Sequence, residues 1–414
     1  MKYVYASVDI GSDTIKVVVC ELFNNKLNLL AASSVKSNGI KKGLITNGKE
    51  ASISLKKAIS EVEDMLGIKI KNVIATIPNY FSEFIMVKAG QSFEEATEIT
   101  GEEIVELLQK ATQTKTVENR VMVTTIPIDF MVDKEEGIKD PKGMVAHDFA
   151  TRAIMVLTPK KNILSVVSLL EDAGLEVEDV SLSSIGDMSS MKEDITKSGV
   201  GAVINIGHET TTISLFNKGI IVNNSVIGVG GKNIDSDLSY MYKVTAKEAK
   251  RIKEKFALAH KKYASKSDFI EALNKDGETI KISQYEVSEV VMARLEEILI
   301  LARKEINTLT KRDIDYILIT GGTSSMTNFS LIAEEILGSK AKVSDIHLVG
   351  LRNNKYSASV GNIAYYISKM KLKGQINSML SKNDMEDLSS SKDGIFTVSE
   401  ESMLGKVFGY FFSE

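Results

Sequence analysis

The chain of 414 residues contains no tryptophan, one cysteine, four prolines and four histidines. Each scarcity removes a class of function. A single thiol, Cys20, cannot build a disulfide framework and suits a reducing cytoplasm. It sits in the run Val17-Val18-Val19-Cys20, where a core position is expected. His147, His208, His260 and His347 are scattered and lack the spacing of metal ligands. No run approaches the ~18 apolar residues that would span a bilayer. The N-terminus, Met1-Lys2-Tyr3-Val4-Tyr5, enters a strand pattern directly, without a signal-peptide pattern. A formal net charge of −4 gives no global reason to bind nucleic acid, and none is expected as a partner.

What is present is a globular composition, 43% hydrophobic and 26% charged. The length exceeds what one core serves, so two or more domains are expected. One signature occurs twice. Val8-Asp9-Ile10-Gly11-Ser12-Asp13-Thr14-Ile15-Lys16-Val17 reads as strand, tight turn, strand, and so does Val203-Ile204-Asn205-Ile206-Gly207-His208-Glu209-Thr210-Thr211-Thr212-Ile213. In each, a β-branched run ends in Asp or Asn, Ile, Gly. The glycine permits a turn whose backbone N–H groups face outward. Either copy alone is an ordinary hairpin. Two copies in two halves suggest related domains whose turns face each other and cradle a polyphosphate.

Two further glycine elements fit that scheme. Tyr316-Ile317-Leu318-Ile319-Thr320 is a buried-type strand running into Gly321-Gly322-Thr323, with a helix expected over Asn328 to Leu337. Adjacent glycines at a strand's carboxyl end let a flat ring approach the backbone. Gly228-Val229-Gly230-Gly231 leads from a strand into a helical stretch.

These elements, in this order, resemble the actin/Hsp70/sugar-kinase superfamily and, within it, the FtsA family of actin-like bacterial cell-division proteins. The resemblance covers nearly the whole chain. It also rests on Gly137-Ile138-Lys139-Asp140-Pro141-Lys142-Gly143-Met144, on Tyr356-Ser357-Ala358-Ser359-Val360-Gly361, and on a C-terminal amphipathic helix after a linker. It implies an α/β, actin-like two-domain ATPase fold built from duplicated ribonuclease-H-like domains. Subdomain 1A would comprise 1–82 and 159–192, and a 1C insertion 83–158. Subdomain 2A would comprise 193–231 and 309–372, and subdomain 2B 232–308. A flexible linker over 373–401 and a membrane-targeting helix over 402–414 would follow.

The resemblance further implies ATP with Mg²⁺. Asp9, Gly11, Ser12 and Lys16 would serve from the first hairpin, with Asp9 holding Mg²⁺ through water. Asn205, Gly207, His208, Glu209 and Thr210 would serve from the second. Gly230, Gly231, Gly321, Gly322 and Thr323 would complete the site. Lys250 and Lys253 lie on a helix expected over Thr245 to Ala259, which reads equally as a solvated face. Hydrolytic members open the second hairpin with a carboxylate. Here that position is Asn205, a poor base, and His208 and Glu209 replace two glycines. Glu209 adds negative charge that Mg²⁺ or Lys16 must offset. ATP is therefore expected as a structural and regulatory ligand, with at most weak hydrolysis.

Partners follow from the same resemblance: a second copy in a filament, the FtsZ C-terminal peptide, and later division proteins through the 1C insertion. Arg294, on a long helix expected over Ser288 to Ile306, lies where a basic residue serves the FtsZ peptide; it also reads as a surface arginine. Residues Lys382 to Glu401 are rich in Ser, Asp, Glu and Lys and hold too few apolar residues for a packed structure. Beyond them Met403, Leu404, Val407, Phe408, Phe411 and Phe412 share half of a helical wheel, with Lys406 on the other half. Such a segment lies on a membrane surface or in a partner's groove. The resemblance favours lipid and places the protein on the cytoplasmic face of the cell membrane at the division site. An actin-like pilus-assembly protein is the close alternative. A phosphotransferase would need the carboxylate that Asn205 replaces, and an Hsp70-like chaperone needs a substrate domain for which there is no room.

Overall fold

The computed structural model of the chain describes residues 2–113, 118–191, 196, 198–346, 348–381, 384, 385 and 388. The strands Tyr3–Ile10 and Thr14–Phe23 pair antiparallel, with Asp9 opposite Lys16. Val17 and Val19 enter a core on one face of their sheet, and Val18, Cys20 and Leu22 one on the other. Burial on both faces explains why this strand reads as an unbroken apolar run. Five strands make the sheet, ordered Lys26–Lys36, Thr14–Phe23, Tyr3–Ile10, Asn72–Ile77, Glu176–Leu182. The first three are antiparallel neighbours and the last two add in parallel.

The second half builds the same sheet again. Its order is Ile220–Ile227, Thr211–Asn217, Val200–Ile206, Tyr316–Thr320, Ala341–Val343, with the same directions. The architecture is a duplicated α/β domain, as the twin hairpins imply. The helix Gly48–Leu66 covers the first sheet with Ala51, Leu55, Ala58, Ile59, Val62 and Leu66, spaced three and four apart. In the second domain Gln284–Leu309 does the same with Val287, Val291, Leu295, Ile298, Leu299, Ala302 and Ile306. It starts four residues before the expected Ser288, because Ser283 and Glu286 form a capping box ahead of the apolar run.

Two helices join the domains. Ser183–Ser190 crosses Ser357–Leu372 so closely that a Cβ on Gly361 would lie 1.6 Å from the Gly186 carbonyl oxygen. The insertion carries a four-stranded sheet ordered Glu83–Glu98, Val145–Pro159, Arg120–Val132, Glu135–Ile138. Its helix Gly101–Gln113 buries Ile104, Leu107 and Ala111, and Glu103 caps back onto the Thr100 N–H at 2.8 Å. The strands Glu83–Glu98 and Val145–Pro159 are long, and their outer halves alternate more covered with exposed residues.

Three expectations need correction. The helix expected over Thr245 to Ala259 spans only Ala246–Lys255. Past it, the Leu258 N–H donates to Ser288 Oγ at 2.9 Å and the Ala259 N–H to the Thr327 carbonyl at 2.9 Å, so tertiary partners replace the helical ladder. Asn328 precedes the helix Phe329–Leu337 but caps it by a left-handed backbone, φ 66°, without a side-chain bond. The stretch expected as a free linker from 373 begins docked. The Met379 N–H donates to the Val4 carbonyl at 2.9 Å, the Val4 N–H to Ser378 Oγ at 3.1 Å, and Leu380, Met385 and Leu388 pack on the first domain's core. A few apolar side chains in a polar stretch suffice to fasten it. The tail residues Met403, Leu404, Lys406, Val407, Phe408, Phe411 and Phe412 lie outside the described residues.

Candidate functional site, a cleft between twin turns

The two hairpin turns close identically. The Gly11 N–H donates to the Thr14 carbonyl at 3.1 Å, and the Gly207 N–H to the Thr210 carbonyl at 2.9 Å. Neither glycine has a positive φ; the turn needs glycine because a Cβ would press on that carbonyl, at 2.9 Å in the first and 3.1 Å in the second. Between the turns lies a cleft of about 520 Å³. Of the residues expected to bind nucleotide, it is lined by Asp9, Gly11, Ser12, Lys16, Asn205, Gly207, His208, Thr210, Lys253, Gly321, Gly322 and Thr323. Gly321 has φ +93°, and a Cβ there would stand 2.5 Å from Asn205 Oδ1, so both conformation and space demand glycine.

Four expected residues lie behind or beside the lining. Gly230 and Gly231 start a helix that docks on the second turn: the Gly231 N–H donates to the Gly207 carbonyl at 2.9 Å, and the Lys232 N–H to the His208 carbonyl at 2.7 Å. Lys250 spans the cleft and pairs with Asp13 of the first turn. Glu209 accepts the Lys42 N–H at 2.6 Å and pairs with Lys232. The negative charge expected against the phosphates is thus neutralised at the cleft's edge.

The electrostatics favour an anion. Lys16 pairs with Asp9 at 2.7 Å, and Lys253 with Asp235 at 2.7 Å. Lys42 and Lys355 also line the cleft, and their ammonium groups pair with no carboxylate among the described residues. Burial, then the charge of Lys16, lowers the Lys355 pKa. Burial also lowers that of His208, which favours a neutral ring. Burial works against ionisation of Asp13, but the bond and charge of Lys250 win and hold it below the usual carboxylate range. Among the described residues no cluster of three or more His, Cys, Asp or Glu is placed to hold a metal. Asp9 beside Lys16 suits a cation carried mainly by phosphate oxygens and water, not a protein cage.

Several lining residues carried no sequence signal. Thr76, Asn79 and Ser183 form one wall, with Asn79 Nδ2 donating to Ser183 Oγ. Asp187 lies directly beneath. It donates nothing and accepts from Asn205 Nδ2 at 2.7 Å and from Ser357 Oγ, and burial pushes its pKa up to about 6. Lys355 stood in view beside the quoted Tyr356-Ser357 motif, and its position after an Asn pair was the available clue.

Comparison with known proteins bears on this geometry. Residues 202–361 match the family model of cell division protein FtsA, and residues 84–157 match the SHS2 domain inserted in FtsA. Together these stretches take in more than half of the chain. The chain belongs to the FtsA family. FtsA of Bacillus subtilis is 28% identical over 90% of this chain and 85% of its own length. FtsA of Streptococcus pneumoniae is 27% identical over 90% and 80%. The FtsA-family chain also shares its fold with MreB5 of Spiroplasma citri bound to ADP, at TM-score 0.56, 14% identity, 90% of this chain and 98% of that one. The pilus alternative remains a likeness of fold alone: the PilM-PilN complex gives TM-score 0.57 at 13% identity, over 87% and 98%. The SHS2 match coincides with the insertion expected over 83–158.

Arg294 lies elsewhere, in a groove of about 550 Å³ with Met241, Tyr242, Val290, Ala293 and the acids Asp237, Glu286, Glu289 and Glu297. Its Nε and Nη2 hold Asp237 at 2.6 and 2.8 Å, and Nη1 bonds Glu297. It is therefore an engaged side chain, not a free surface cation.

Proposed function

We propose that this cell-division protein binds ATP with Mg²⁺ in the cleft, assembles with its own copies on the inner face of the cell membrane, and ties FtsZ filaments to it. The carrying observation is the pair of identically closed turns facing each other across a lysine-lined cleft in an FtsA-family chain. Gly11, Ser12, Gly207 and Thr210 would meet phosphates with backbone and hydroxyl groups, and Lys16 and Lys42 would add charge. Gly321, Gly322 and Thr323 would take the nucleoside. Mg²⁺ would sit on the phosphates with Asp9 reaching its water; it supplies charge neutralisation there. Asn205 offers no general base, so hydrolysis is slow and ATP acts mainly to hold the domains together.

Membrane attachment is assigned to the apolar arc of 402–414, FtsZ-peptide binding to the groove around Arg294, and recruitment of later division proteins to the 83–158 insertion. An incoming peptide carboxylate would take the place of Asp237 or Glu297 on Arg294. Calorimetry of the Gly321→Phe variant tests the cleft: ATP binding should vanish while the fold is retained, and unchanged affinity would refute this site. Liposome pelleting of the double variant F408E/F411E tests the anchor: it should stay in solution and still bind ATP. Pelleting equal to the parent would place the tether elsewhere.

A further inference from the structure

Asn205 is the penultimate residue of the strand Val200–Ile206 and lines the cleft. Its side chain has two unlike ends, a carbonyl oxygen that accepts and an NH₂ that donates. Nδ2 donates to Asp187 Oδ2 at 2.7 Å. Asp187 belongs to the helix Ser183–Ser190 that links the domains, and it is 1% exposed. Its other oxygen accepts from Ser357 Oγ on the second linking helix. An ionised carboxylate only accepts, so it fixes which end of the Asn205 amide faces it. The oxygen is left on the side of Gly321, where a Cβ would stand 2.5 Å from it. Among the described residues, Asn205 Oδ1 accepts no side-chain hydrogen bond.

The strand end is thus neutral, and a carboxylate stands one layer further back, within electrostatic reach of Asp9 and Lys16. We propose that Asp187 is a positioning residue that locks the Asn205 amide with its oxygen toward the cleft, as an acceptor for water held by the nucleotide's cation. The negative charge belonging to the second hairpin is thereby moved from the cleft wall to the hinge helix. An acceptor is kept for ordering water while a base is withheld. This inference rests on the ATP–Mg²⁺ reading above.

The test is a charge swap in the full chain. ATP affinity is measured by calorimetry with Mg²⁺ and with EDTA, alongside melting temperature. Asp187→Asn leaves two amides with no preferred orientation; ATP affinity with Mg²⁺ should fall about tenfold, with that in EDTA unchanged. Asn205→Asp sets two carboxylates against each other and should lower both melting temperature and affinity. The double variant D187N/N205D re-forms the bond with reversed polarity, so its Mg²⁺-dependent affinity should return to the parent's level or exceed it. A merely structural role for Asp187 gives no Mg²⁺-selective loss. Should Asp187→Asn fail to fold, the double variant decides alone: retained Mg²⁺ dependence supports the proposal, and its loss overturns it. Undiminished Mg²⁺-dependent affinity in Asp187→Asn also overturns it, as does a double variant no better than its singles combined. If the parent binds no ATP, the ATP reading fails first and the proposal with it.

Discussion

Asp13 and Lys250 reach each other across the cleft, and their pairing makes stability depend on pH. The Asp13 pKa lies below the ordinary carboxylate value, held there by Lys250 against burial. A depressed carboxylate stabilises the folded form above its unfolded pKa, ~4, and the gain is lost as pH falls through the depressed value. Each side chain is 31% exposed, which holds the contribution under about 1 kcal/mol. Lys250→Ala should therefore lower the melting temperature slightly at pH 7, and the gap between parent and variant should begin to close at pH ~4 and vanish only once pH has fallen through the depressed Asp13 value. A gap that persists in acid would mean the pair is not the cause. The sequence places Lys250 on a basic helix of the second domain, and there its information ends. Spacing along one helix does not separate a lysine aimed at a ligand from one aimed at a carboxylate 237 positions away. Asp187 was harder still. It follows Ser183-Ser184-Ile185-Gly186 without a motif, and only the tertiary fold brings it to Asn205.

At the scale of elements, glycines separate what sequence conveys from what packing decides. Gly361 belongs to a legible motif, but its reason is the Gly186 carbonyl 1.6 Å from where its Cβ would be. Gly48, in the first turn of its helix, has nothing within 4 Å of such a Cβ. The same substitution should therefore have opposite signs. Gly361→Ala should cost at least about 2 kcal/mol, because the linking helices must part. Gly48→Ala should be neutral or stabilise by up to about 1 kcal/mol. Urea denaturation of both variants measures this, and equal effects would refute the close crossing. The twin hairpins and the strand running into Gly321-Gly322 were readable because each is local. The outer reaches of the insertion's strands were not, since half-exposed alternation resembles loop composition.

For the whole molecule, a ligand that touches both domains makes stability depend on its concentration. ATP at a hundred times its Kd should add about 2.7 kcal/mol, seen as a rise in melting temperature that the Gly321→Phe variant lacks. A rise of equal size in that variant would place binding outside the cleft. The duplication was legible from two turns 196 positions apart in register, Gly11 and Gly207, since each end of the pattern is set by backbone geometry. The clasp across the cleft mouth, from Lys42 and Lys232 to Glu209, was not, because it joins three segments distant in the chain.

If the tail attaches to lipid as proposed, the docking of Met379, Leu380, Met385 and Leu388 on the first domain limits how far the body can stand from a bilayer. With Met379 bonded to Val4 and Leu388 in the core, only residues 389–401 separate the docked stretch from segment 402–414 in the sequence. A chain of that length spans at most about 45 Å, less than half of what the same bound gives when counted from residue 373. On that reading the first domain would be held at close quarters to the lipid, with little freedom to turn over. Neighbouring copies on one surface would present the same side to it, so a row of them would grow already oriented.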